Sequence, residues 1–198
     1  LRDSKTLHVC DAYVVYHSTA RGPAKGGLRL APDVTLEETA DLAERMSLKT
    51  ALTGIPFGGG KSGIRIKERA LSPYQKTMIV KEFVHMIRNE LVSGTYIPAP
   101  DLGTSPKEMA IIYGELHVPE CVTGKPLGIG GLPGRKEATG YGVAMAAECG
   151  YKKYFKKSVK NAGVVIQGFG NVGSWTAYYL QSKGARILGV ADISSGIY

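Results

Sequence analysis

The stretch IPFGGGKSG, residues 55–63, sets Lys61 behind a run of glycines. Little side-chain bulk there crowds the approach of a small ligand. The phosphate-cradling pattern G-x-x-x-x-G-K-[ST] needs a glycine five positions before the second one. Counted back from Gly60 that position is Ile55, and Gly54 lies one residue too far. Pro56 and Phe57 also stiffen a loop that would have to wrap an anion, so a P-loop is disfavoured. Two readings of the residues stay open, a lysine that serves a small ligand and a turn with a solvated lysine. Lys25, Lys49 and Lys61 together form a dispersed basic set suited to an acidic small molecule.

A second chemical signal lies near the other end, in NAGVVIQGFGNVGSWTAYYLQSKGARILGVADISSG, residues 161–196. An apolar strand over 164–167 runs into Gly168-Phe169-Gly170-Asn171-Val172-Gly173, then a helix, then a second apolar strand over 187–191 that ends at Asp192. The three glycines permit a tight turn, close backbone approach to a pyrophosphate, and close helix–strand packing. A helix N-terminus offers free N–H groups and the positive end of its dipole to phosphates. Asp192 follows Gly173 by nineteen residues, where an acid can accept hydrogen bonds from a ribose hydroxyl. With strand, turn, helix, strand and acid all in order, dinucleotide binding is favoured over a structural turn. The chain stops at Tyr198, soon after the second strand, whereas a dinucleotide fold has two such halves. It therefore reads as cut short at its C-terminus.

The elements that must position these groups announce themselves mainly through helix starts. Thr35-Leu36-Glu37-Glu38 predicts a capping box and a helix to about Leu52, with a stop at Gly54. Ser72-Pro73-Tyr74-Gln75 predicts a second helix to about Val92. Ser105-Pro106-Lys107-Glu108 predicts a third to about Leu116. Strands are expected at 12–17 (AYVVYH) and 62–66 (SGIRI). Strand, helix, strand, helix is an α/β pattern. Five glycines and two prolines within 124–134 mark a hinge or domain junction, with a helix over roughly 136–149 beyond it. The fold class expected is α/β, a substrate domain with a mixed sheet over 1–134 followed by the start of a Rossmann-type domain over 135–198.

Composition narrows the function classes. No apolar run reaches the roughly 18 residues a membrane span needs, and LRDSKTLHVCD has no signal-peptide core. Cys10, Cys121 and Cys149 are odd in number and far apart, which argues for a reducing, cytoplasmic compartment and against a zinc site. The formal charge is +8, and the one dense basic cluster is YKKYFKKSVK at 151–160. Lying between two predicted elements, it reads as a solvated face rather than a nucleic-acid site.

Taken in order, ARGPAKGGLR (20–29), MSLKTAL (46–52), IPFGGGKSG (55–63), IPAPDLGT (97–104), TGKPLGIGG…GRKEATGYGV (123–143) and GFGNVG (168–173) span almost the whole chain. In these motifs the sequence resembles the glutamate/leucine/phenylalanine dehydrogenase family. The resemblance implies a reversible, NAD- or NADP-dependent oxidative deamination of an amino acid to a 2-oxo acid and ammonia. It also implies a homo-oligomer, a hexamer in the family, with neither nucleic acid nor membrane as partner. Lys61 falls on the family's catalytic lysine and Asp101 on its catalytic aspartate. By itself, an aspartate in Pro-Asp-Leu-Gly would read as an Asx turn. A lysine that activates water must be neutral to do so, and burial or neighbouring positive charge favours that form; Lys25 and Lys49 are the neighbours implied. Lys49 matches the residue that holds the α-carboxylate. Lys25, in GPAKGG, matches the one that holds the side-chain carboxylate in the glutamate branch and is apolar in the leucine and phenylalanine branch, so the implied substrate pair is glutamate and 2-oxoglutarate. Ala99 lines the family's substrate pocket, Thr139 meets the nicotinamide amide, and Gly168, Gly170, Asn171, Val172, Gly173 and Asp192 meet the cofactor. Family members are about twice this length and carry an N-terminal helical segment and the rest of the coenzyme domain, so this stretch is not expected to turn over substrate alone. The chain departs from the family pattern at 130–134 and at the Lys67-Glu68 turn. Two alternatives remain, a leucine, phenylalanine or valine dehydrogenase and a non-catalytic oligomerisation fragment.

Overall fold

A computed structural model of the chain describes residues 9–67 and 71–198 throughout, together with the backbone of 2–3 and 6–7; Glu68, of the expected Lys67-Glu68 turn, lies outside the described residues. Two units form, Leu1–Leu132 and Pro133–Tyr198. In the first, β1 (Arg2–Asp3) and β2 (Thr6–Leu7) pair antiparallel. They precede β3 (Ala12–Ser18), β4 (Ala24–Ala31), α1 (Leu36–Leu52), β5 (Gly58–Arg65), α2 (Pro73–Met86), α3 (Arg88–Val92), β6 (Tyr96–Pro100) and α4 (Pro106–Leu116). Strands β3 to β6 make one sheet in the order β3-β5-β4-β6, in which β3 is antiparallel and the other three are parallel. This is the mixed α/β unit the sequence predicted.

The two faces of that sheet differ, because side chains alternate along each strand. Ala24, Leu28 and Leu30 of β4, Ile64 of β5 and Tyr96 of β6 belong to one buried apolar layer with Val80, Phe83 and Val84 of α2 and Met109 and Ile112 of α4. Each fully buried side chain of this size contributes about 1.5–3 kcal/mol. One polar pair sits in the layer: Ser62 and Tyr96 share a hydroxyl–hydroxyl bond of 2.7 Å, and burial pushes the Tyr96 phenol upward. On the opposite face α1 lies unusually close to β5. A Cβ placed on Gly59 would stand 2.1 Å from Ser47 Oγ and 2.5 Å from the Ala43 carbonyl oxygen, so only glycine fits beneath the helix.

The caps explain where the helices start. Ser72 and Ser105 form complete capping boxes with Gln75 and Glu108. Thr35 accepts from the Glu38 N–H at 3.1 Å, but the Glu38 carboxylate leaves the box half made and pairs with Arg29 of β4 instead. At Glu108, burial raises the carboxyl, and the Ser105 and Lys76 contacts outweigh it and hold the group below the usual carboxylate range.

Three expectations change. The second helix ends at Met86 rather than near Val92. The chain breaks at Ile87, a β-branched residue with φ −118°, and α3 then carries Leu91 into the core, fully buried. The strand expected at 62–66 begins four residues earlier, at Gly58, so Lys61 stands mid-strand and not in a turn. In the second unit, α5 runs Arg135–Phe155, well past 149. A mid-helix glycine such as Gly150 costs only about 1 kcal/mol, and Lys152 and Lys153 suit the negative end of the helix dipole. Half of the basic run 151–160 is therefore helix, and α5 stops at Lys156, where φ turns to 54°.

The second unit continues with β7 (Gly163–Gln167), α6 (Asn171–Ser182), β8 (Arg186–Ala191) and the unforeseen β9 (Gly196–Ile197). β7 and β8 are parallel and β9 is antiparallel to β8, a dinucleotide-binding type of α/β start. Ala144, Val159, Ala162, Leu180 and Ala185 form its core. Among the described residues no helix is long and apolar enough to cross a membrane. All three cysteines are free.

Candidate active site and dinucleotide turn

Lys61 lies on the α1 face of β5, between the glycines at 59 and 63, and is only 7% exposed. Its ammonium forms an ion pair with Asp101 Oδ2, forty residues on. Asp101 sits just past the end of β6, and the parallel pairing of β6 with β4 and β4 with β5 brings it back beside Lys61. The close approach depends on Gly27. A Cβ there would stand 2.2 Å from Asp101 Oδ2 and 2.7 Å from Asp101 Cβ. The other carboxylate oxygen, Oδ1, accepts from the N–H of the next residue, Leu102, at 2.7 Å, a shorter reach than the two residues of an Asx turn. One oxygen thus serves the local backbone and the other the lysine.

Lys25 projects from β4 on the same face as Lys61, and its ammonium donates to the carbonyl oxygens of Ile97 at 3.2 Å and Pro98 at 3.5 Å. Ala99 of β6 pairs with Gly27 and is partly buried. Lys49 stands in the last turn of α1 with its side chain exposed. The carboxylate of Asp101 is thus the charged group in contact with Lys61, where the sequence had suggested companion lysines.

The glycine turn between β7 and α6 has the shape its spacing predicted. Gly168 takes φ +89°, and a Cβ on Gly173 would stand 1.9 Å from the Gly168 carbonyl oxygen, so the helix begins directly on the turn. A Cβ on Gly168 or Gly170 would meet nothing within 4 Å, leaving the mouth of the turn open to a bulky group. No side chain caps α6, and its first N–H groups have no partner within the helix. These features fit a pyrophosphate. Val172 is 41% exposed at this mouth.

Two matching family models agree with this geometry. Residues 1–118 match "Glu/Leu/Phe/Val dehydrogenase, dimerisation domain", and residues 130–198 match "Glutamate/Leucine/Phenylalanine/Valine dehydrogenase". The chain belongs to the Glu/Leu/Phe/Val dehydrogenase family. It is 44% identical over 202 residues to glutamate dehydrogenase A2 of Halobacterium salinarum, a match covering 99% of this chain and 48% of that protein. It is 41% identical over 188 residues to the NADP-specific glutamate dehydrogenase of Saccharolobus shibatae, covering 91% of this chain and 44% of that one. Among solved structures, the hetero-hexameric glutamate dehydrogenase of Thermus thermophilus in its Leu-bound form superposes with a TM-score of 0.91 at 37% identity, covering 99% of this chain and 48% of that one. The chain therefore spans about half the length of the curated relatives it matches.

Within this family framework some cofactor candidates are engaged locally. The Asn171 side-chain amide donates to the Lys136 carbonyl oxygen at 2.8 Å, tying the start of α6 to α5. Asp192 Oδ1 accepts from the Ser194 hydroxyl and N–H, both at 2.7 Å, and from the Ser195 N–H at 3.1 Å. Those bonds hold its carboxyl below the usual carboxylate range and build the turn into β9, leaving Oδ2 for a further donor. Thr139 is exposed on α5. Sequence reasoning missed Gly27 and Thr104 as builders of the Lys61–Asp101 setting. The doubled glycine of GPAKGG was the available signal for the first.

Proposed function

We propose that the protein carrying this chain oxidatively deaminates L-glutamate to 2-oxoglutarate and ammonia, reversibly, with NAD+ or NADP+ as hydride acceptor. The observation that carries this reading is the Lys61–Asp101 ion pair on a sheet face that also bears Lys25. Bound at the glycine turn, the nicotinamide cofactor supplies the acceptor for the hydride leaving the α-carbon. The substrate ammonium gives up one proton to solvent on binding, and loss of that hydride from the free amine leaves an iminium ion, to which water adds. Lys61, made a neutral amine by passing its proton to the touching Asp101 carboxylate, takes a proton from the water as the water oxygen bonds to the iminium carbon. Asp101 delivers the proton it received from Lys61 to the nitrogen. As the carbon–nitrogen bond breaks, ammonia departs with the bonding pair while the hydroxyl proton passes to the Asp101 carboxylate, leaving 2-oxoglutarate. Direct contact between the two side chains lets a proton pass from one to the other without crossing solvent.

Lys25 would pair with the side-chain carboxylate and Lys49 with the α-carboxylate, because desolvating two carboxylates without partners is costly. Ala99 would line the pocket. Thr139, Asn171, Val172 and the free Oδ2 of Asp192 would face the cofactor, with Gly168, Gly170 and Gly173 giving its pyrophosphate room. The same reading makes the working protein a homo-oligomer in a reducing, cytoplasmic compartment.

Initial rates on L-glutamate, L-leucine and L-phenylalanine, each with NAD+ and with NADP+, test the proposal directly. Glutamate is expected to give the highest kcat/KM; a protein that prefers leucine or phenylalanine would make the reading of Lys25 wrong. A second test concerns Gly27. Gly27→Ala pushes Asp101 away from Lys61, and a displacement of this size costs about 10²-fold in kcat. Overpacking the site should also cost about 1–3 kcal/mol in urea unfolding.

A further inference from the structure

The Asp101 turn contains a side chain, Thr104, whose hydroxyl ties the turn back to β4. Thr104 Oγ1 accepts from the Asp101 N–H at 2.8 Å and donates to the Leu28 carbonyl oxygen at 2.8 Å. The Thr104 N–H in turn donates to the Asp101 carbonyl oxygen at 2.9 Å. One hydroxyl therefore clasps the backbone of the aspartate from one side and β4 from the other. Leu28 is fully buried in β4, one of the two inner strands, so the anchor point is held on both sides. The ladder between β4 and β6 has its last register pair at Leu28 and Pro100, one residue before Asp101. A further backbone bond, from the Leu30 N–H to the Leu102 carbonyl oxygen at 2.9 Å, resumes the link beyond it. The Thr104 hydroxyl bridges the gap between those two points, where Asp101 leaves the sheet to meet Lys61.

We propose that Thr104 is a positioning residue that holds the Asp101 carboxylate in contact with Lys61. Gly27 supplies the space and Thr104 supplies the fixed backbone. The inference rests on the reading of Asp101 as the proton carrier. A methyl group in place of the hydroxyl would leave the Asp101 N–H and the Leu28 carbonyl without their shared partner. The turn could then relax away from β4, taking the carboxylate with it.

Three variants of the whole protein test this, Thr104→Val and Thr104→Ala, which lack the hydroxyl, and Thr104→Ser, which keeps it. Each is compared in kcat and KM for glutamate and in exchange of the Asp101 amide hydrogen. Expected are a drop in kcat of about 10–100-fold for Val and for Ala, KM within about threefold of the parent, and faster exchange of the Asp101 amide. Ser is expected to restore both kcat and protection. Should Val fail to fold, Ala and Ser carry the comparison. The proposal is overturned if Ser loses as much kcat as Ala, since packing and not the hydroxyl would then matter, or if Ala turns over like the parent. Asp101→Asn separates the two layers of the argument. If it stays active, the assignment of Asp101 itself falls, and the role of Thr104 falls with it. If it is inactive while Thr104→Ala is unaffected, only the role of Thr104 falls.

Discussion

Replacing Lys61 by methionine is expected to lower kcat for glutamate oxidation by about 10³–10⁴-fold, in the upper part of the range for a general acid–base group. Methionine keeps the length and apolar stem of lysine and removes only the amine. Lys61→Arg is expected to be as inactive, because a guanidinium stays protonated and cannot take a proton from water. Steady-state rates measured with urea unfolding of the same samples would separate chemistry from folding. Breaking a fully buried ion pair costs about 3–5 kcal/mol, but the Asp101 side chain is 28% exposed and can hydrate once released. The folded state should therefore survive the change, and the loss of rate should far exceed any loss of stability. A Lys61→Met enzyme within tenfold of the parent would remove the amine from the mechanism.

Lys25→Met should change what the enzyme accepts. Truncating one partner of a desolvated charge pair costs about 2–5 kcal/mol, which corresponds to roughly 30–4,000-fold in kcat/KM for glutamate. An apolar amino acid pays no such penalty, and leucine is expected to gain on glutamate by that factor. The ratio of the two kcat/KM values, measured in parent and variant, gives the result directly. In the parent, the Lys25 ammonium donates to the Ile97 and Pro98 carbonyl oxygens, so methionine also leaves those oxygens to water. The observable that isolates the charge is thus the substrate ratio and not the absolute rate.

Helix starts were legible because capping is local. Ser72, Ser105 and Thr35 each act on a residue two or three positions away, and a reader needs only four residues to see it. The dinucleotide turn was legible for the same reason, its glycines and the following helix being contiguous. In the four-stranded sheet, three strands were hidden in whole or in part. β4 was not anticipated, β5 was anticipated only in its second half, and β6 not at all. Their sequences, AKGGLRLA, GGGKSGIR and YIPAP, are rich in glycine and proline, which weaken strand propensity. Those glycines answer to tertiary demands that no local window contains. Gly59 makes room for the backbone of α1, and Gly27 for the Asp101 carboxylate. That Lys61 and Asp101 belong to one site was implied by family likeness alone, since nothing within either motif points to the other across forty residues. The lysine cluster imagined around Lys61 also failed to foresee that an acid would be its touching neighbour.

Lys61 and Gly60 occupy consecutive positions on a strand with neighbours on both sides, and they point to opposite faces. A Cβ on Gly60 would meet Ala24 and the Tyr96 ring, deep in the apolar layer. Insertion or deletion of a single residue between α1 and Lys61, if the ladder to β4 slid to absorb it, would turn the ammonium into that layer and a neighbour toward Asp101. Length changes in the 53–57 connection therefore meet a parity constraint, which makes this short link far less tolerant of indels than a surface loop ordinarily is.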